Sequence, residues 1–380
     1  MKKLTQQVIR DTAVVGGGKT LEPLFTLKNF PVFFGSTDAP EADDLVFDME
    51  WGIDKETGVV QLLKLVPLDI LYQSQHVDGC GPTWQKYYQD FAEYIKAQNP
   101  KQVLEIGGGA GQLARIATET TPDLKWTIVE PNPWVKETDQ IKTISAFFDE
   151  HFTYDGHVDA VVFSQVLEHA YDPRKFIADI NKFLKPGGKL VFAYPNLKLW
   201  LERKYTNALN FEHTMLLTDY FLDYLLPLHG FKVTDKTEYK DHSYFYTCEK
   251  VAGELEAVRP KSVYEEYKKI FMDFVAYHQT MVAELNQKIA SATHPVYLFG
   301  AHIFSSYLIA FGLNAGAIVG MLDNSPTKQG HRLYGTKFIV ESPKILKDKG
   351  PVNVILKAGI YNAEIKKDIL ENINSEAVFW

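Results

Sequence analysis

Three glycines at alternate positions, Gly107, Gly109 and Gly111, follow the apolar run Val103–Ile106 at once. A turn of this kind lets a ligand lie against bare backbone, because no side chain stands in the way. The spacing is G-x-G-x-G, whereas dinucleotide-binding turns usually show G-x-G-x-x-G. Glu105 precedes the first glycine, and an acid there suits a ligand with a cationic head better than a pyrophosphate. Further along stand two Glu–His pairs, Glu168-His169 and Glu212-His213. A neutral histidine is the natural base near pH 7 for a hydroxyl, or a carbon beside a ketone, that must lose a proton. His213, with Glu212 as neighbour, is the first candidate for that role and His169 the second.

These groups need a scaffold, and the surrounding pattern supplies one. Val103–Ile106 reads as a buried parallel strand. Gln112–Thr118 begins a helix whose N-terminus faces whatever the glycines hold. Trp126–Glu130 reads as the next strand and ends in an acid about 20 residues past the glycines, where a carboxylate accepts both ribose hydroxyls. Ile144–Asp149 follows. Its Phe147 and Phe148 can sandwich an adenine, although adjacent phenylalanines are often plain core. Val158–Ser164 gives a fourth strand that runs into Val166-Leu-Glu-His169. Phe183–Asn196 is a helix end, a Pro-Gly turn and a fifth strand. A ligand with a cationic head, a ribose and an adenine is S-adenosylmethionine (SAM), which carries an ammonium and a sulfonium.

In order and spacing, these segments resemble the class I SAM-dependent methyltransferases over about residues 100–250. The resemblance implies that Gly107, Gly109 and Gly111 cradle the cofactor, with Glu105 before them. It also implies that Glu130 holds the ribose, that Phe147 and Phe148 flank the adenine, and that Ser164 and Gln165 lie near the methionine end.

Composition narrows the field. The 380 residues are too many for one ordinary core and suggest two or three domains. Hydrophobic residues make up 46% and charged residues 23%, the proportions of a soluble globular protein. Net charge is −8 with no basic block, which disfavours a nucleic-acid partner. Met1–Gln7 lacks an apolar h-region, so no signal peptide is expected. The apolar stretch Tyr297–Leu322 carries His302, Ser305, Ser306 and Asn314 and parses as strand, helix, strand; no membrane segment is expected. The two cysteines, Cys80 and Cys248, give neither a disulfide framework nor a metal cage. A cytoplasmic location follows from these readings.

The fold class is therefore α/β, with a Rossmann-like methyltransferase core between two smaller parts. Residues 1–95 form a small N-terminal substrate or lid domain, and 96–250 the SAM-binding domain. Residues 251–292, apolar at helical spacing, form a connecting helix packed on a neighbour. Residues 293–380 form a second Rossmann-like α/β unit. Its glycine turn, Gly300-Ala-His-Ile303, is incomplete, so a full dinucleotide site is not expected there.

The three-part plan is similar to that of the nucleotide-sugar C-methyltransferases, a match carried by Gly300-Ala-His302, Leu322–Gly330 and Tyr334-Gly-Thr336. It implies a nucleotide-linked keto-deoxysugar as substrate, with Asn324, Lys328 and Gln329 lining a cleft that faces the core. It places Tyr72 and His76 where the N-terminal domain closes over the cofactor. Two departures stand out. The family's N-terminal domain holds zinc with four cysteines, whereas this chain has none before Cys80, so no metal is expected. The family's Tyr-His-Glu-His motif reads Asn210-Phe211-Glu212-His213 here, which leaves Asn210 at a substrate-binding position and puts the methylated atom in question. O- or N-methylation of another small molecule, a nicotinamide-dependent sugar oxidoreductase and a non-catalytic SAM-binding protein are the competing readings. The glycine spacing disfavours the oxidoreductase. The sequence does not fix the oligomeric state.

Overall fold

Period-2 burial near the N-terminus builds an antiparallel sheet. In the computed structural model, which describes residues 1–73 and 82–380, β1 (Leu21–Pro31) pairs with β2 (Leu45–Asp54), and β2 with β3 (Val60–Leu62). Met49, Trp51 and Ile53 alternate along β2 and are all buried, as a strand with one face on the core requires. The buried residues of this sheet belong to the same hydrophobic cluster as Phe163, Phe192 and Leu222 of the central unit.

The central sheet has seven strands. They are β4 (Gln102–Ile106), β5 (Lys125–Glu130), β6 (Ile141–Ser145), β7 (Ala160–Ser164), β8 (Lys189–Pro195), β9 (Phe231–Tyr239) and β10 (Ser243–Lys250). Their order is β6-β5-β4-β7-β8-β10-β9, with β4 to β8 parallel and β10 antiparallel to both neighbours. The chain builds outward from β4 in one direction and then crosses to β7 on the other side. The crevice past the carboxyl ends of β4 and β7 is thus the place where such sheets bind ligands. Register reinforces the sheet. Phe163 lies opposite Phe192 and Phe192 opposite Tyr246, so three rings stack at 4.8 and 4.7 Å on one face. Each such pair adds about 1 kcal/mol beyond its burial.

Helices α1 (Pro82–Lys96), α2 (Gln112–Glu119) and α3 (Pro173–Phe183) flank this sheet. Asp172 caps α3 by accepting the Lys175 N–H at 3.0 Å, and Pro173 fits the first helical position, where no donor is needed. The long helix α4 (Tyr264–Ala290) buries Tyr267, Phe271 and Phe274 beside the N-terminal sheet, with Phe271 6.0 Å from Trp51. Its far end buries Val282, Leu285 and Ile289 against a second, all-parallel sheet of five strands. Those strands are β11 (Val296–Phe299), β12 (Ile318–Leu322), β13 (Val340–Glu341), β14 (Val352–Leu356) and β15 (Ala377–Phe379), in the order β13-β12-β11-β14-β15. Helix α5 (Ile303–Ala310) follows β11. The fold is the mixed α/β architecture read from the sequence. No helix among the described residues is long and apolar enough to cross a membrane.

Candidate active site

The loop after β4 adopts a backbone that side chains resist. Gly107, Gly109 and Gly111 all have positive φ, at 71°, 50° and 71°. A Cβ on Gly107 would stand 2.8 Å from Val166 Cγ2, and one on Gly111 2.7 Å from Val135 Cγ1. The loop folds onto the end of β5, where the Gly109 N–H donates to Glu130 Oε2 at 3.4 Å and the Asn132 N–H to Oε1 at 3.3 Å. Loop and acid border one cavity of about 650 Å³, within the usual range for small-molecule sites. Glu105, Gly107, Gly109 and Glu130 line it, whereas Gly111 shapes the turn from outside the lining. Glu105 is buried, and its Oε2 accepts the Trp126 indole N–H at 2.6 Å. The acid read as facing the cationic head is therefore also tied to the second strand.

Phe147 and Phe148 both reach the cavity, with different surroundings. Phe147 is exposed and meets the edge of Tyr72 at 6.2 Å. Phe148 packs among Phe152, Phe176 and Phe183 at 5.4–5.7 Å. With such different surroundings, the two rings do not form a symmetrical clamp.

Ser164 and Gln165 also line the cavity, and their polar atoms face Tyr87. Ser164 Oγ lies 2.8 Å from the Tyr87 hydroxyl, while Gln165 Nε2 donates to that hydroxyl and to Ser243 Oγ, each at 3.0 Å. These bonds hold Gln165 at φ 57°, a conformation uncommon for a non-glycine residue. Burial pushes the Tyr87 phenol up, so it stays protonated. Behind it, His242 Nδ1 meets Ser243 Oγ at 2.6 Å, and its ring packs on Trp84 and Trp200 at 5.2 and 5.3 Å. Burial, aided by Lys240, pulls His242 down to about 4. Sequence reasoning missed Trp84, Tyr87, Tyr88, Trp200 and His242. The i, i+3, i+4 spacing of the first three on α1 is the signal that was available.

The two Glu–His pairs converge on the same cavity. Glu168 lies in a single turn, Leu167–His169, and is fully buried. Among the described residues neither carboxylate oxygen has a hydrogen-bond partner. Burial first, and then the charge of Glu212, pushes it up to about 8. The cap of the following helix α3 is Asp172. His169 Nδ1 meets the Tyr72 hydroxyl at 3.1 Å, and burial pushes that phenol well up. His213 Nδ1 donates to Ala208 O at 3.3 Å, which leaves the lone pair on Nε2. Burial lowers the His213 pKa, opposed by the charge of Glu212. The two imidazole rings stand 5.4 Å apart. His169, Glu212, His213 and Tyr72 all line the cavity.

Asn210, expected to bind substrate, bonds to the backbone of its own turn. Its Oδ1 accepts the N–H groups of Glu212 and His213, both at 2.8 Å, and its Nδ2 donates to Asn207 O. It shapes the turn that presents the pair and is absent from the cavity wall. Phe211 is fully buried, 5.7 Å from Phe47 and 6.2 Å from Phe30. Tyr307 of α5 donates to Leu209 O at 2.5 Å, so the C-terminal unit braces the same segment.

The remaining expected substrate residues are not brought to this cavity. Asn324 is exposed beyond the end of β12. Lys328 Nζ lies 3.2 Å from Asp323 Oδ2, and Gln329 Nε2 donates to Asp323 O at 2.9 Å. Asp323 Oδ2 also accepts the Ala301 N–H at 2.9 Å. The turn closes on its own aspartate, and none of the three side chains lines the core cavity. His76 lies outside the described residues.

Residues 81–251 match the family model of a methyltransferase domain. An 81-residue stretch is 36% identical to a Mycolicibacterium smegmatis protein named "Probable S-adenosylmethionine-dependent methyltransferase", covering 21% of this chain. The chain spans 31% of the length of that curated relative. Among solved structures, the chain is similar to an O-methyltransferase family protein from Burkholderia thailandensis (14% identity, TM-score 0.37, 45% of this chain and 57% of that one). It is also similar to the N-methyltransferase NodS from Bradyrhizobium japonicum in complex with S-adenosyl-L-homocysteine (16% identity, TM-score 0.36, 45% of this chain and 88% of that one).

Proposed function

We propose that this chain, which carries a SAM-dependent methyltransferase domain, methylates a nucleotide-linked sugar, at carbon. The observation that carries the reading is the cavity itself. Its wall carries the glycine loop and Glu130 together with His169, Glu212 and His213. SAM, when bound, supplies a methyl group already activated on a sulfonium. The chain's residues therefore bind, orient and remove a proton. Glu130 takes the ribose, Phe147 one face of the adenine, and the backbone of Gly107 to Gly109 the methionine part. The acceptor's proton goes to His213, with Glu212 beside it and His169 as the second group.

Trp84, Tyr88 and Trp200 give the acceptor end apolar faces on which the carbon face of a sugar ring can rest. Among the described lining residues the sole lysine or arginine is Lys175, paired with Asp179 at 2.6 Å and Glu150 at 3.0 Å. A wall so rich in carboxylates repels a diphosphate. The sugar ring thus belongs inside and the nucleotide outside. Oxygen methylation is the second reading. It is favoured by Phe211, a core side chain where the resembled motif has a histidine.

The test is incubation with methyl-labelled SAM and a panel of thymidine-, guanosine- and cytidine-linked sugars, followed by mass analysis. A methylated sugar is expected. Deuterium taken up from solvent beside the ketone marks the carbon route. His213→Ala should lose turnover while S-adenosylhomocysteine affinity stays within about threefold. Equal turnover in that variant removes His213 from its role.

A further inference from the structure

Glu168 is the least explained group in the molecule. A carboxylate taken out of water without a hydrogen bond is costly, and native folds rarely leave one orphaned without a task. Both of its oxygens lack a partner among the described residues, and the side chain is 0% exposed. It is not aimed into an apolar void. Its oxygen and the ring nitrogens of His169 and His213 lie within 4.8 Å of one another.

We propose that Glu168, His169 and His213 bind a divalent first-row metal cation at the acceptor end of the cavity. Two nitrogens and one carboxylate oxygen are a recurrent donor set for such ions, and they leave further positions open to a ligand. Two atoms each about 2.1 Å from one ion stand about 3–4 Å apart, so small side-chain rotations bring the three into place. The outer partners fit as well. His213 donates its Nδ1–H to Ala208 O, and His169 Nδ1 meets the Tyr72 hydroxyl, so one nitrogen of each ring has a partner that orients the ring. The carboxylate-rich wall, whose one described lysine is already paired, favours a cation over any anion.

The inference rests on the methyl-transfer reading and refines it. With the cation bound, His213 would serve as a ligand in place of the base, the cation would polarise the acceptor's oxygen, and Glu212, the neighbouring carboxylate on the wall, would take the proton. The site binds neutral imidazoles and an ionised carboxylate, so loading releases protons.

The test uses the full chain, stripped with chelator and dialysed. Mn²⁺ is titrated in, and free ion is followed by electron paramagnetic resonance. One ion per chain is expected to lose its free-ion signal, and Zn²⁺ is expected to compete for it. Glu168→Gln, an isosteric change, and His213→Ala should each weaken Mn²⁺ binding by about tenfold or more, with far-ultraviolet circular dichroism unchanged. S-adenosylhomocysteine binding is measured on the same samples. Absence of saturable Mn²⁺ binding, or equal affinity in wild type and Glu168→Gln, overturns the cation site. If the adenosyl ligand still binds in that case, the methyltransferase reading survives. If it does not, that reading fails separately.

Discussion

Asp44 and Arg332, 288 positions apart, meet in a buried two-pronged ion pair, Nη1 to Oδ2 at 2.6 Å and Nη2 to Oδ1 at 2.7 Å. Asp44 also accepts the Gly335 N–H at 2.7 Å, and Arg332 also donates to Ala39 O and Thr336 O. The pair fastens the N-terminal region to the C-terminal unit, beside the short ladder of Ser36–Thr37 with Arg332–Leu333. Arg332→Ala leaves a buried charge alone and should cost about 3–5 kcal/mol, read from the urea midpoint. A loss below about 1 kcal/mol would show that the clamp is slack.

Asn210 holds the turn that carries Glu212 and His213. Asn210→Ala releases the backbone N–H groups of Glu212 and His213 and lets the pair drift. A misplacement of about 1 Å can cost a hundredfold in rate. We expect kcat to fall by about that factor while the dissociation constant for S-adenosylhomocysteine is unchanged. Unchanged kcat would mean that the turn is held by Tyr307 and Phe211 alone.

The cofactor half of the site was legible because its chemistry is local. Glycines, a strand and an acid about 20 residues on lie in one stretch of chain, so spacing alone marks the crevice. The acceptor half was less so. Glu168 and His213 come from separate segments, and no spacing tells that they meet. Asn210 has a side chain suited either to a ligand or to its own backbone, and only the turn decides between them. Lys328 and Gln329 do not reach the cavity because Asp323, at the end of β12, engages both. Tyr87 and His242 are joined through Ser243 and Gln165, a tertiary pairing that the spacing on α1 does not reveal.

Gly107→Ala tests the loop. Positive φ costs an alanine about 1–2 kcal/mol, and the new methyl meets Val166 Cγ2 at 2.8 Å. Adenosyl-ligand affinity should fall by about tenfold or more. Adding Val166→Ala relieves the contact but not the dihedral, so the double variant should recover only part. Full recovery would put the whole effect on Val166.

His242 makes stability pH-dependent. Its ordinary value of 6.5 is lowered to about 4 in the folded state, chiefly by burial. Between those values the unfolded chain binds a proton that the folded chain refuses. Stability is thus whole above about pH 6.5 and declines as pH falls toward 4, by up to about 3 kcal/mol from this residue. Denaturant midpoints from pH 8 to 4 should show a steeper decline in wild type than in His242→Gln. Parallel curves would remove His242 as a contributor.

The central claim is that the crevice past β4 and β5 holds an adenosyl ligand on Glu130. Calorimetry with S-adenosylhomocysteine on the full chain, beside Glu130→Ala, tests it most directly. The account predicts saturable one-site binding in wild type and a loss of about tenfold or more in the variant, with the fold intact by circular dichroism. No heat in wild type, or equal affinity in the two proteins, would contradict it.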